Sequence, residues 1–306
     1  MLDNDPPLTS VDRQPLWKRI HHQREPVNAL PARGSSLPRG AVIMRALHAD
    51  PLQPYFLYWP KGARAAAPVL VTVHGISRNA GEQITAFAEL AEHYGVVLVA
   101  PLFTAPRFRG YQRLRGRGQR ADRKLEAILA EVRRLTAAHT ERVALFGYSG
   151  GAQFVHRYAM AYPNRVKSAG VAAAGWYTFP DPKRDYPYGI RSTPASSDLS
   201  FEPTRFLRVP MHVWVGERDI ERDAALRQSK RVDRQQGGNR VERAQRWVDA
   251  MRDAAQQTGL DTPYSMTLLP RSDHSFRRCV KRGKLAERVF ATLFEVEAMG
   301  INLNRR

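Results

Sequence analysis

The stretch Arg142–Met160 carries a serine in a setting that can make it a nucleophile. Its first five residues, RVALF, form a short apolar run that predicts a buried strand. From Ala152 onward the stretch holds no glycine or proline and predicts a helix. Between them stands Gly147-Tyr148-Ser149-Gly150-Gly151, a G-x-S-x-G sequence at a strand-to-helix turn. A serine on so sharp a turn sits in a strained backbone with its hydroxyl lifted above the sheet edge. Its neighbours must be small, because the chain and adjacent strands pass close by. The Gly150 N–H then lies at a helix N-terminus, where the local dipole favours an anion developing on a substrate oxygen. The competing reading is a glycine-rich turn that only packs, or one that cradles a phosphate.

A serine hydroxyl needs a base to accept its proton and an acid to orient that base. In an open, mostly parallel sheet such groups come from loops at the carboxyl ends of strands. Asp219 lies four residues past the strand-like run Met211–Val215, and His274 lies five past Tyr264–Leu269. Along the chain the three come in the order Ser149, Asp219, His274. Glu217, Glu221 and Asp223 compete with Asp219, and Asp273 adjoins His274. G-x-x-D directly after a strand favours Asp219, because it sets a carboxylate on the loop just above the sheet. Of nine histidines only His274 follows the final strand. His74 also ends a strand-like run, Pro68–His74, but its His-Gly pair suits the geometry of an oxyanion loop, with the Ile76 N–H as the donor that joins Gly150. Each such donor is worth about 3 kcal/mol in the transition state. His156, inside the helix after the serine, reads as a packed helical histidine. Ser77, Tyr148 and Trp176 are candidates to line a substrate pocket; Ser77 reads more simply as a loop residue, and Trp176 with Tyr177 equally well as packing.

These groups need a scaffold, and the rest of the chain supplies one. Strand-like runs at Ala41–Leu47 and Tyr55–Trp59, separated by the turn-rich HADPLQP, predict an antiparallel pair leading into the sheet. Pro68–His74, Val96–Ala100 and Val166–Gly175 predict further strands. Helices are expected over Gln83–Tyr94 with Gly95 as cap, from Asp122 to His139, over Asn239–Thr258 and over Leu285–Met299. In the third of these, Val241, Ala244, Trp247, Val248, Met251 and Ala255 face inward and the charges face elsewhere. Alternating strands and helices imply right-handed crossovers and an α/β architecture with a mostly parallel central sheet. Thr178–Pro210 holds six prolines and is too long for a simple connection, so an insertion over residues 176–210 is expected to run across the active-site face. Residues 1–38 read as an extended arm pinned by Trp17 and Ile20, and 39–306 as the folded domain; His21 and His22 match no metal-site spacing.

Strand-HG, strand-GYSGG-helix, strand-GERD and strand-SDHSF together resemble the α/β-hydrolase superfamily over roughly residues 41–299. Within it the HGISRNA loop, GYSGGAQF and QQGGNRVERAQRW resemble bacterial esterases of the polyhydroxybutyrate-depolymerase-like and dienelactone-hydrolase-like groups. The resemblance implies hydrolysis of an ester, less often an amide or thioester, through an acyl-enzyme and with no cofactor or metal. Ser149 would attack, His274 shuttle the proton, Asp219 orient His274, and Ile76 and Gly150 hold the oxyanion. The alternatives are an amidase or peptidase using the same triad, or a hydrolase-fold protein that binds polyanions through its basic surface.

The basic surface departs from the family pattern. Forty-eight Lys and Arg against 29 Asp and Glu give a formal net charge of +19, a field that draws acidic partners. Between Arg107 and Lys124 lie seven Arg and one Lys against one acid, Asp122. Arginines there suit a substrate carboxylate or phosphate, whereas a charge run is most simply a solvated loop or a partner for nearby acids. No nucleic-acid module is recognised, and no apolar stretch approaches the ~18–20 residues of a membrane span. The expected partner is a small-molecule or oligomeric ester, anionic esters included. An N-terminal stretch without an apolar core and a single cysteine, Cys279, favour a cytoplasmic chain.

Overall fold

Apolar residues alternate along each central strand, so each strand feeds two cores at once. In β5 (His139–Tyr148), Leu145 joins one buried cluster while Ala144 and Phe146 join the other; in β3 (Pro68–Val73), Val71 and Val73 face the first and Leu70 the second. The computed structural model describes residues 37–115 and 118–302, and the expected N-terminal arm with Trp17, Ile20, His21 and His22 lies outside them. The remaining strands are β1 (Val42–Leu47), β2 (Asp50–Tyr58), β4 (Val97–Pro101), β6 (Val166–Ala172), β7 (Met211–Gly216) and β8 (Tyr264–Leu269). They form one eight-stranded sheet of order β1-β2-β4-β3-β5-β6-β7-β8. The β1–β2 and β2–β4 pairs are antiparallel, and the pairs from β4 through β8 are parallel.

Helices α1 (Ala80–Tyr94), α2 (Ala121–Thr136), α3 (Gly150–Ala161), α4 (Pro203–Phe206), α5 (Lys230–Gln236), α6 (Arg240–Gln257), α7 (Phe276–Lys281) and α8 (Leu285–Asn302) connect or cover these strands. Leu125 of α2, Phe154 of α3 and Trp247 of α6 pack on one face. Phe87 of α1 and Phe290 of α8 pack on the other, edge to face at 6.1 Å. Among the described residues no helix is long and apolar enough to cross a membrane.

Several boundaries differ from the sequence expectation for physical reasons. β2 begins at Asp50, inside the stretch that reads as a linker. Its pairing to β4 starts only at Tyr55, so Pro51 and Pro54 lie where β2 bonds to β1 alone and a missing N–H costs little. β6 stops at Ala172 rather than Gly175, because Ala173 takes a positive φ of 52° and turns the chain out of the sheet. In α6 the charges are not all outward: Arg240 and Arg243 are buried beside Ala244 and Trp247. The helices α4, α5 and α7 are absent from the sequence reading. The proline-rich excursion is tied to the arginine-rich loop by Asp198, which pairs with Arg115 at 2.5 Å and also with Arg120. Asp50 takes Arg107 and Lys124, each at 2.6 Å. Much of that loop's charge is therefore matched within the fold.

Candidate active site

The turn from β5 into α3 places Ser149 at φ 55°, ψ −110°, a backbone conformation that costs free energy and that the packing around it must enforce. Ser149 N–H donates to the Ala172 carbonyl of β6 at 2.8 Å. A Cβ at Gly151 would overlap the Val73 carbonyl of β3, and one at Gly147 would overlap the Gly151 backbone. Only glycine lets the three segments close on one another here.

His274 stands between β8 and α7. Its Nε2 lies 3.1 Å from Ser149 Oγ and its Nδ1 2.8 Å from Asp219 Oδ2. The acid acts as acceptor at Nδ1, which puts that ring proton on Nδ1 and leaves the Nε2 lone pair toward the serine. Asp219 is 2% exposed. Its N–H bonds the Gly216 carbonyl at the end of β7, and its Oδ1 accepts from Arg240 Nη1 at 3.1 Å. Arg240 reaches past it to both oxygens of Asp223, at 2.9 and 3.1 Å. Burial pushes the Asp223 carboxyl upward, but the Arg240 hydrogen bond and charge outweigh this and hold it below the usual range. The competing acids are engaged elsewhere. Glu217 accepts from the Arg271 N–H at 2.6 Å, Asp273 pairs with Arg278, Asp223 is held by Arg240, and Glu221 is exposed.

The loop after β3 lies against the same serine. A Cβ built on Gly75 would sit 3.5 Å from Ser149 Cβ, and one on Gly150 would sit 3.4 Å from the Ile76 N. Ile76 N thus lies against Gly150, and among the described residues Ile76 N–H donates to no other group. Three residues hold this loop. His74 accepts the Phe103 N–H on Nε2 at 2.9 Å and donates from Nδ1 to the Gly75 carbonyl at 2.8 Å. Burial drives its pKa down to about 4, so it stays neutral and keeps both bonds. Arg78 bonds the Ile76 and Phe103 carbonyls, at 2.8 and 2.9 Å, and Tyr111 O–H donates to the His74 carbonyl at 2.8 Å. Tyr111 carries no motif, and Arg78 is marked only by its place in the HGISRNA loop. Their sequence signal is confined to positions just after β3 and within the arginine-rich loop.

The three pocket candidates diverge. Ser77 bonds Asn79 at 3.3 Å on an exposed loop. Tyr148 is turned into the core: its ring lies 5.7 Å from the His274 ring and 5.2 Å from Phe276, and its hydroxyl meets Cys279 Sγ at 3.6 Å. Its ring packs against the catalytic-site histidine. Trp176 is buried beneath arginine side chains. His156 packs as expected, bonding the Ala152 carbonyl and the Thr178 N–H at 2.8 and 3.0 Å.

With this geometry, likeness to known proteins gains meaning. No protein-family model matches the chain, and no curated protein matches it. Among solved structures, the poly(3-hydroxybutyrate) depolymerase LpqC from Bordetella parapertussis is 25% identical with a TM-score of 0.67, covering 83% of this chain and 89% of its own. Poly(aspartic acid) hydrolase-1 from Sphingomonas sp. KT-1 is 22% identical at TM-score 0.70, covering 84% and 100%. A putative dienelactone hydrolase from Klebsiella pneumoniae is 15% identical at TM-score 0.54, covering 83% and 99%. The chain has the α/β-hydrolase fold and is an enzyme of the serine-esterase type.

Proposed function

We propose that the protein cleaves carboxylic esters through an acyl-enzyme, with Ser149, His274 and Asp219 as the catalytic triad. The observation that carries this reading is the unbroken chain from Ser149 Oγ to His274 Nε2 at 3.1 Å and from His274 Nδ1 to Asp219 Oδ2 at 2.8 Å. Ser149 Oγ attacks the ester carbonyl as His274 Nε2 takes its proton, and Asp219 stabilises the imidazolium that forms. The negative oxygen of the tetrahedral intermediate accepts from the Ile76 and Gly150 N–H groups. His274 then protonates the leaving alkoxide. Water enters, gives a proton to the same nitrogen, and attacks the acyl-serine to release the acid. A polyester depolymerase among the similar structures supports an ester as the substrate class.

A p-nitrophenyl ester series from acetate to decanoate, run on wild type and Ser149→Ala, tests the assignment. Loss of at least about 10⁴-fold in kcat with unchanged circular dichroism is expected for the mutant. A fluorophosphonate should lose fluoride to the serine hydroxyl and leave its phosphonyl group on the peptide carrying Ser149 in wild type alone. Turnover surviving in Ser149→Ala, or labelling elsewhere, overturns the triad.

A further inference from the structure

Three guanidinium groups converge on Trp176. The Cζ of Arg157 lies 4.2 Å from the ring centroid, that of Arg227 at 5.2 Å and that of Arg113 at 6.0 Å. Among the described residues none of the three pairs with a carboxylate. Arg157 is fully buried, and its partners are neutral oxygens: Thr178 Oγ1 at 2.8 Å and the Gln112 and Gln153 carbonyls at 2.7 and 3.3 Å. Arg227 donates to the Tyr188 hydroxyl at 2.8 Å. Two buried donors remain unspent, Nη2 of Arg157 and Nε of Arg227. Burial, reinforced by repulsion from Arg113 and Arg227, lowers the Arg157 pKa to about 10. Three like charges on one ring, with two buried donors left over, cost free energy unless an anion joins them.

The cluster is linked to the nucleophile through α3 and the loop after β6. Trp176 follows the loop that leaves β6 just past Ala172, whose carbonyl holds the Ser149 N–H. A Cβ on Gly175 would touch the Gln153 side-chain amide at 3.3 Å, one turn of α3 beyond Ser149. Arg157 is two turns along that helix, about 12 Å at 1.5 Å per residue, and long helical side chains lean back toward the N-terminus. Arg113 is exposed and Arg227 and Tyr188 are half-buried, so the cluster opens to solvent. Resting on the esterase reading above, we infer that Arg113, Arg157 and Arg227 on Trp176 bind a carboxylate carried by the substrate, which makes acidic esters the preferred class. The two unpartnered donors belong to guanidinium groups that face one ring, and a carboxylate has two oxygens to accept from them.

The test compares p-nitrophenyl monoesters of adipic, pimelic and suberic acids with neutral p-nitrophenyl esters of matching length. On the alcohol side, 4-acetoxybutanoate is compared with butyl acetate. The expected ratio of kcat/KM, acidic over neutral, is at least tenfold in one of the two arms and falls as salt rises. It should collapse toward one in the Arg113→Gln/Arg227→Gln double variant, whose positions are less buried than Arg157. Arg134→Gln, an exposed arginine on α2, should keep the wild-type ratio and so separates a site from net charge. Independently of turnover, calorimetry should show Ser149→Ala binding adipate or suberate, with that heat lost when the double substitution is added. Ratios of one or below in both arms, a ratio unchanged in the double variant, or tighter binding of inorganic phosphate than of any dicarboxylate overturns the inference while leaving the esterase intact. Failure of wild type on every neutral and acidic ester instead sinks the reading on which it rests.

Discussion

Arg240 and Arg157 are equally withdrawn from water, at 1% and 0% exposure, yet their surroundings are opposite. Arg240 sits between two carboxylates, Asp219 and Asp223, and its charge is answered from both sides. Arg157 meets neutral oxygens, an indole face and two further arginines. The contrast teaches how to tell a buried charge that builds the protein from one that awaits a ligand. An answered charge fixes geometry; here it fixes the acid behind the histidine. An unanswered charge set beside two more of the same sign is a half-made bond.

The largest effect expected from this comparison is at Arg240. Arg240→Met leaves Asp219 buried without its cation, and breaking a buried pair from one side costs about 3–5 kcal/mol. Chemical denaturation should show that loss. Ester turnover should also change in a way that instability alone does not produce. With the cation gone, Asp219 loses the bond that fixes its Oδ1 and the acid behind His274 is no longer held in place, so kcat should fall while KM changes little. Arg240→Lys should restore part of both. A kcat per folded enzyme that stays at the wild-type value would show Arg240 to be packing only.

A buried ionisable group has a third option, which is to give up its charge, and His74 takes it. Its folded pKa, pushed down by burial, lies near 4 against an ordinary 6.5. The sign follows: above 6.5 neither state is protonated and nothing changes. Between 6.5 and 4 the unfolded chain binds a proton that the fold refuses, so stability falls as pH falls. The slope is about 1.4 kcal/mol per pH unit, or roughly 3 kcal/mol across the window. Urea titrations at pH 7 and pH 4.5 should show this, with one proton less of pH dependence in His74→Asn. Burial drives His156 the same way, so the total wild-type slope should exceed that of one group.

The same three cases explain what the sequence could disclose. Ser149, Asp219 and His274 each lie within a few residues of a strand's carboxyl end, so local spacing carried their positions. The sheet was legible for the same reason, through short apolar runs broken by glycine and proline. Arg240 was hidden because it opens a helix 21 residues from the acid it bonds, a distance no local pattern spans. One signal was present: Arg240 and Arg243 fall in the same helical stripe as Ala244 and Trp247, where an outward charge would not belong. The Trp176 cluster draws on four separated segments, and only the closed fold brings Arg113, Arg157 and Arg227 together. The arginine-rich loop was a poor guide in detail, since Asp50 and Asp198 absorb several of its charges and Arg113 is the one turned to the ring.

The smallest stability effect, and the sharpest test of the contrast, is Arg157→Met. The substitution deletes hydrogen bonds, but little is stranded by it. Thr178 Oγ1 still donates to the Pro187 carbonyl at 2.7 Å, and Gln112 is half-buried, so water can reach its carbonyl. Against that loss stands the removal of a desolvated cation beside two others, with an apolar side chain of similar reach left on the indole. The two contributions oppose each other, and the net change in unfolding free energy should stay within about 1 kcal/mol, well short of the Arg240→Met cost. Denaturation of both variants in one buffer measures the difference directly. A loss at Arg157 as large as that at Arg240 would mean that its neutral contacts already satisfy the charge, and the distinction between the two arginines would fall with it.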